Sequence, residues 1–295
     1  MCQNMPVFGQ FELIINHKKK KQWAASVGDE LTSERHRSHV EEREHQKARS
    51  QFQSLLTDCR IDAPQGLRLL ELGFKRGDFL RLCRDAGLDA VGLEVEPGYY
   101  QRLKRECPEL NLILYDGRAV PLPDASFDLI ASFQVLEHVG SLETTLAECI
   151  RLLKPGGLMY HVLPNYHSFY EGHYHVFWWP FLSRAGGRRY LKMMRKYTLY
   201  YETLNLVKPR TLRRILLRHQ DAVEVLSLGQ DEFKKRFTPD QIAKVNHPLL
   251  RGVLNGIYRC GFLKKMATGL ISVSECYYPI TLIVRKKEAD ASPDT

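Results

Sequence analysis

The chain has 295 residues, 44% of them hydrophobic, and carries 43 Lys and Arg against 34 Asp and Glu. This is enough apolar material for a sizeable core in one α/β domain with additions or in two small domains, and the net charge of +9 favours anionic partners. No apolar run reaches the roughly 18 residues of a membrane span, no signal-peptide pattern opens the chain, and seven scattered cysteines without a C-x-x-C imply a reducing, cytoplasmic setting without a zinc site.

In chain order, residues 1–40 are weakly patterned and expected to form a partly flexible N-terminal extension. They hold a possible short strand at 7–15 and a lysine run at 18–21 that reads as a solvated arm or a phosphate or lipid contact. Residues 35–56 lack Gly and Pro and predict one long helix with a thin apolar face (Val40, Phe52, Leu55, Leu56). The stretch 67–97, LRLLELGFKRGDFLRLCRDAGLDAVGLEVEP, is the best patterned of all. It predicts a buried strand at 69–72, a turn from Gly73 to Gly77, a helix with Phe79, Leu80, Leu82 and Cys83 on one side, and a second strand at 90–95 ending near Glu94. Strand, Gly turn, helix, strand and acid make half of a nucleotide-binding unit. The turn G-F-K-R-G lacks the close Gly pair that lays backbone amides on a pyrophosphate, so a ligand with a ribose and no phosphate fits better.

At these residues the sequence resembles the class I S-adenosylmethionine (SAM) methyltransferases. Their first motif is acid-x-Gly-x-Gly-x-Gly, with an acid closing the second strand. Glu71, Gly73 and Gly77 fill the first, third and seventh places, Lys75 stands at the middle Gly, and Glu94 closes strand two. Further on, a strand is predicted at 111–115 before Asp116-Gly117-Arg118, and another at 127–132 before the run V-L-E-H-V, which is similar to the type 11 methyltransferase subgroup. An amphipathic helix at 141–153 and the turn L-K-P-G-G lead to a strand at 158–163. A helix at 208–218 and strands at 223–228 and 278–284 complete the pattern before a polar tail at 286–295.

The resemblance implies an α/β, Rossmann-like, seven-stranded, mostly parallel sheet with its last strand antiparallel, flanked by helices, with substrate-side insertions. The implied methyltransferase domain spans 41–295, with insertions at 166–207 and 231–276. It also implies a SAM site made by Glu71, Gly73, Phe74 and Gly77 of the first turn, Glu94 and Val95 at the ribose, Asp116 with Gly117 and Arg118 at the adenine, and Gln134 past strand four. The long N-terminal helix would lie over the cofactor; the other reading of it is a solvated helix.

Residues 165–207 depart from the repeating pattern and are dense in His, aromatics and basic groups. Here His173 and His175, oriented by Glu171, are candidate bases, and His138 is another. His173-x-His175 with Glu171 lacks a fourth ligand at metal spacing, so no metal is expected. The absence of an Asp/Asn-Pro-Pro motif after strand four makes nucleic acid the less expected substrate. Trp178, Trp179, the basic run at 188–196 and the basic-apolar stretch at 248–271 point to a small-molecule, sugar or lipid-linked acceptor, with peripheral contact to an anionic membrane surface. The alternatives are an RNA or protein methyltransferase and a non-catalytic SAM-fold binding protein.

Overall fold

The computed structural model describes residues 30–243 and 248–288. The expected strand at 7–15, the lysine run at 18–21 and the tail beyond residue 288 lie outside the described residues. The chain divides into two compact units at Pro121 and Leu122.

In the first unit, α1 (Glu30–Cys59) begins earlier and ends later than its periodicity predicts. It is not a solvated rod: Ala48 and Leu55 are buried, and Phe52 meets the edge of Phe79, centroids 6.2 Å apart. These three α1 residues recur at i, i+4 and i+7, the spacing of one narrow helical face. Strand β1 (Arg68–Leu72) leads into α2 (Asp78–Asp85), which buries Phe79, Leu80 and Cys83. Gly87, at φ +86°, ends that helix: Gly87 N–H bonds Arg84 C=O and Leu88 N–H bonds Cys83 C=O. Then follow β2 (Asp89–Glu94), α3 (Pro97–Glu106) and β3 (Asn111–Leu114). β1 pairs with β2 and β2 with β3, all parallel, so their carboxyl ends point the same way.

The second unit opens with β4 (Phe127–Phe133), α4 (Leu142–Leu152) and β5 (Leu153–Leu163). The L-K-P-G-G segment, expected as a turn before β5, belongs to the strand as a bulge. Phe127 pairs with Leu153 but Leu129 pairs with Leu158, and Lys154 Nζ bonds both Asp128 carboxylate oxygens at 2.9 and 2.8 Å across the irregularity. A two-strand hairpin follows, β6 (Tyr170–Glu171) and β7 (Val176–Phe177), then α5 (Arg184–Met193), α6 (Leu199–Glu202), α7 (Pro209–Leu217) and β8 (Val223–Ser227). The stretch expected as an insertion is helical where described: α8 (Gln230–Arg236), α9 (Pro239–Ala243), α10 (Pro248–Arg259) and α11 (Gly261–Val273). β9 (Ile280–Lys286) closes the chain, antiparallel to both β5 and β8. The sheet order is β3-β2-β1-β4-β5-β9-β8, the seven-stranded, mostly parallel α/β sheet that the resemblance implies.

Residues 166–207 build a small core of their own inside the second unit. Tyr166, Val176, Trp178, Leu191, Tyr201 and Leu204 are buried together. Its aromatic rings supply most of the packing area of that cluster.

In the middle of the sheet, His161 of β5 is fully buried opposite Ser132 of β4, whose hydroxyl lies 2.8 Å from His161 Nδ1. Burial lowers its pKa from 6.5 to about 3, so the fold holds the neutral ring. The stability this gives is complete above the unfolded value of 6.5 and is lost as pH falls from there toward about 3. Wild type should therefore lose about 2 kcal/mol more than His161→Asn between pH 7 and pH 5. Urea titrations of both at the two pH values check this; equal losses would remove His161 from the acid response.

Candidate functional site

In the first unit the residues expected at a cofactor stand at the carboxyl ends of β1, β2 and β3, where open α/β sheets bind ligands. Glu94, the last residue of β2, is buried and bonded to backbone on both carboxylate oxygens. Oε2 accepts the N–H of Lys75 at 3.1 Å; Oε1 accepts the N–H groups of Val95 at 2.9 Å and Glu96 at 3.2 Å. Burial raises its pKa, and the three N–H groups pull it back. Glu71 is also buried, and Oε2 has no hydrogen-bond partner among the described residues. Desolvation, and then the nearby Glu94, pushes its pKa well above the usual carboxylate range. Two carboxyls held out of water this way favour a ligand that brings positive charge.

The turn between β1 and α2 explains the glycine pattern. Gly73 lies at φ +73° and donates to Leu93 C=O. Gly77 lies at φ +75° as the N-cap of α2, and a methyl there would strike Leu103. Lys75, at the middle place of the motif, also has positive φ, +46°, with its side chain exposed and its C=O accepting Arg102 Nη2 at 3.3 Å. Phe74 is buried, with its ring over Gly92 of β2, so only its backbone belongs to the turn. After β3, Asp116 Oδ1 accepts the N–H of Arg118 at 2.9 Å and Gly117 takes φ +80°, an Asx-type turn on the surface. A methyl at Gly117 would sit 3.7 Å from Val95, so these two loops adjoin.

The second unit holds a different cluster. Glu171, at the end of β6, is buried and accepts three hydrogen bonds: from Tyr166 hydroxyl at 3.0 Å, from His173 Nδ1 at 2.9 Å and from Tyr174 N–H at 2.6 Å. Burial, then Glu171, raises the Tyr166 pKa far above 10, so this hydroxyl stays a donor. His173 Nε2 lies 3.7 Å from Glu137 Oε1, and His138 Nε2 lies 3.8 Å from the same oxygen. The two imidazoles stand edge to face, centroids 5.4 Å apart, and Tyr200 hydroxyl is 3.3 Å from His138 Nε2.

His138, Glu171 and His173 therefore come together, and His175 does not join them. It lies at φ +53° on the exposed side of the hairpin, its Nδ1 2.7 Å from Tyr170 hydroxyl. Gln134, past β4, also has positive φ, +58°; it donates its N–H to Val162 C=O, and its side chain bonds Tyr278. Glu137, Tyr166 and Tyr200 are the cluster members that sequence reasoning missed. For Glu137 a signal existed, an acid beside His138 after a buried strand.

A β-branched residue at positive φ is a true outlier. Relieving Lys75 with glycine regains about 1–2 kcal/mol, offset by about 0.4–1 kcal/mol from a freer unfolded chain. Melting temperatures should rank Lys75→Gly at or above wild type and Lys75→Val clearly below both. A Lys75→Val variant as stable as wild type would refute the strained turn.

Part of the chain is similar to known proteins. Residues 70–161 match the family model described as a methyltransferase domain. A Mycolicibacterium smegmatis protein named as a probable S-adenosylmethionine-dependent methyltransferase is 31% identical, over 36% of this chain and 42% of its own. Demethylmenaquinone methyltransferase of Renibacterium salmoninarum is 34% identical, over 36% and 44%. A malonyl-acyl-carrier-protein O-methyltransferase of Serratia marcescens is 33% identical, over 32% and 37%. The chain thus matches less than half the length of each of these relatives. The matched region holds the acid-glycine turn and Glu94, and over residues 70–161 the chain is similar to S-adenosylmethionine-dependent methyltransferases.

Proposed function

We propose that the protein transfers the methyl group of SAM to a hydroxyl or other oxygen of a small-molecule, sugar or lipid-linked acceptor. The observation that carries this reading is the relay Tyr166–Glu171–His173. With Nδ1–H donated to Glu171, His173 presents the Nε2 lone pair toward Glu137 and His138. A sulfonium methyl is already activated, so transfer is an in-line displacement that needs alignment and exclusion of water. What remains for the protein is to take charge of the acceptor's proton. His173, fixed by Glu171, is suited to act on that hydroxyl. On the donor side, Glu94 retains acceptor capacity for ribose hydroxyls beyond its three backbone bonds. Glu71 and Glu94 suit a cationic ligand, and Asp116 with Gly117 and Arg118 suits the adenine.

The relatives' names favour a small acceptor: one is a demethylmenaquinone methyltransferase, and another is a malonyl-acyl-carrier-protein O-methyltransferase. Peripheral contact with an anionic membrane surface, which would serve a lipid-linked acceptor, has its support in α11. Phe262, Met266, Leu270 and Val273, at 70, 57, 72 and 86% exposure, follow one another at helical spacing beside Lys264 and Lys265. No helix of the described residues is long and apolar enough to cross a membrane.

Three outcomes are expected. Glu94→Ala should weaken SAM binding by about 1.5–3 kcal/mol, as loss of charge-assisted hydrogen bonds does; calorimetric titration with unchanged affinity would remove Glu94 from the donor site. His173→Ala should keep SAM affinity within about threefold and lower turnover by roughly 10²–10⁴, while His175→Ala keeps full turnover. Methyl-labelled SAM incubated with a metabolite extract, read by mass spectrometry, supplies the acceptor for that assay. Finally, Leu270→Asp should reduce co-sedimentation with vesicles containing anionic lipid and leave binding of SAM alone; equal sedimentation would deny the α11 face a lipid role.

A further inference from the structure

We propose that Glu137, His138 and His173 bind a divalent transition-metal cation. The sequence offers only the pair His173 and His175 for such a role, and the fold replaces His175 with two residues from the loop after β4. One ligand atom from each of Glu137, His138 and His173 lies within 4.8 Å of the others. Both imidazole Nε2 atoms face the same carboxylate oxygen, at 3.7 and 3.8 Å. A zinc-like ion about 2.0–2.2 Å from each ligand sets tetrahedral ligand atoms about 3.3–3.5 Å apart. The two Glu137–imidazole distances would therefore have to shorten by a few tenths of an ångström, and the separation of the two imidazole nitrogens, which is within 4.8 Å, by about 1.4 Å at most.

Two independent features hold the three groups in place. Metal-bound imidazoles characteristically donate their other N–H to a carboxylate, which fixes the tautomer and aims the lone pair. Glu171 does this for His173 at 2.9 Å and is itself held by Tyr166 and the Tyr174 N–H. The loop bearing Glu137 and His138 is clamped by Asn205, whose backbone N–H bonds Glu137 C=O at 2.7 Å and whose Nδ2 bonds Val139 C=O at 2.7 Å and Leu136 C=O at 3.4 Å. Tyr200 hydroxyl, 3.3 Å from His138 Nε2, would give up that contact and stand beside the ion.

Two imidazoles and one carboxylate, with no thiolate, suit Zn²⁺, Co²⁺, Mn²⁺ or Fe²⁺. Three protein ligands leave a coordination position open, as in catalytic rather than structural sites. The occupant would be the acceptor oxygen, which deepens the methyl-transfer reading and rests on it. A hydroxyl on the ion is acidified and releases its proton to solvent. Its electron pair then forms the O–CH₃ bond while the S–CH₃ pair returns to sulfur, giving a methyl ether or ester and S-adenosylhomocysteine. His173 serves here as ligand, and the cation performs the activation.

The test uses the full chain, stripped of metal and titrated with Co²⁺ alone. Wild type should bind one Co²⁺ per chain with visible d–d absorption, and Zn²⁺ should displace it. Glu137→Gln and His138→Gln should lose this uptake, Glu171→Gln should bind about 10–100-fold more weakly, and His175→Ala should match wild type. His173→Cys should retain the ion and add a thiolate-to-cobalt charge-transfer band in the near ultraviolet, a signature that does not depend on losing a fold. No stoichiometric uptake by wild type overturns the proposal. So does unchanged uptake in the Glu137 and His138 variants, or a His173→Cys spectrum without the new band. SAM titration of the same preparation is read separately: failure there strikes the methyl-transfer reading and leaves the cation result standing.

Discussion

Glu94 sets the geometry of the first unit through one requirement: a carboxylate taken out of water must have its oxygens bonded. Three peptide N–H groups meet it, two from the chain just after β2 and one from Lys75 in the turn after β1. The Lys75 bond ties the end of one strand to the turn of another. That turn carries three residues at positive φ, Gly73, Lys75 and Gly77, and places Gly77 against Leu103 of α3. The glycine motif and the strand-closing acid are therefore one device. The left-handed turn aims a backbone donor at the carboxylate, and the carboxylate repays the strain of a lysine in a glycine conformation.

The second unit solves the same problem with side chains. Glu171 is as deeply buried as Glu94, yet two of its three donors are Tyr166 hydroxyl and His173 Nδ1. Backbone donors fix a loop; side-chain donors fix an imidazole. Tyr166 belongs at once to this relay and to the aromatic core with Trp178 and Tyr201, so the packing of residues 166–207 also orients His173. Asn205 extends the arrangement by holding the loop of Glu137 and His138 from more than sixty positions further along the chain.

The order of strands and helices was legible because each element carries its own period: short apolar runs for β1, β2, β4 and β9, and i, i+1, i+4 burial for α2. The acids at strand ends were legible for the same reason, since a charged residue at the end of a buried run has few explanations. Three things were not. The bulge at 154–157 looks like a helix stop, because Pro and Gly mark both, and only the pairing with β4 tells them apart. The full span of α1 was hidden by its narrow apolar stripe. The Glu137–His138–His173 cluster was hidden because its members meet only through loop conformation and the Asn205 clamp, neither of which has a period.

Residue type alone was least informative where the segment is richest. His173 and His175 are two positions apart, yet one bonds a buried carboxylate and the other, at positive φ, turns to a surface tyrosine. Trp178 and Trp179 are neighbours, yet the first lies in the aromatic core and the second is 55% exposed. Alternation along extended chain separates the adjacent Trp178 and Trp179, and the turn between β6 and β7, with His175 at positive φ, separates His173 from His175. The density of His and aromatics in residues 165–181 is thus the sum of three demands: a core to pack, a carboxylate to satisfy and a surface to present. Composition detects that the segment is unusual, and only the distribution of its side chains over these three environments separates His173, bonded to the buried Glu171, from His175, turned to the surface.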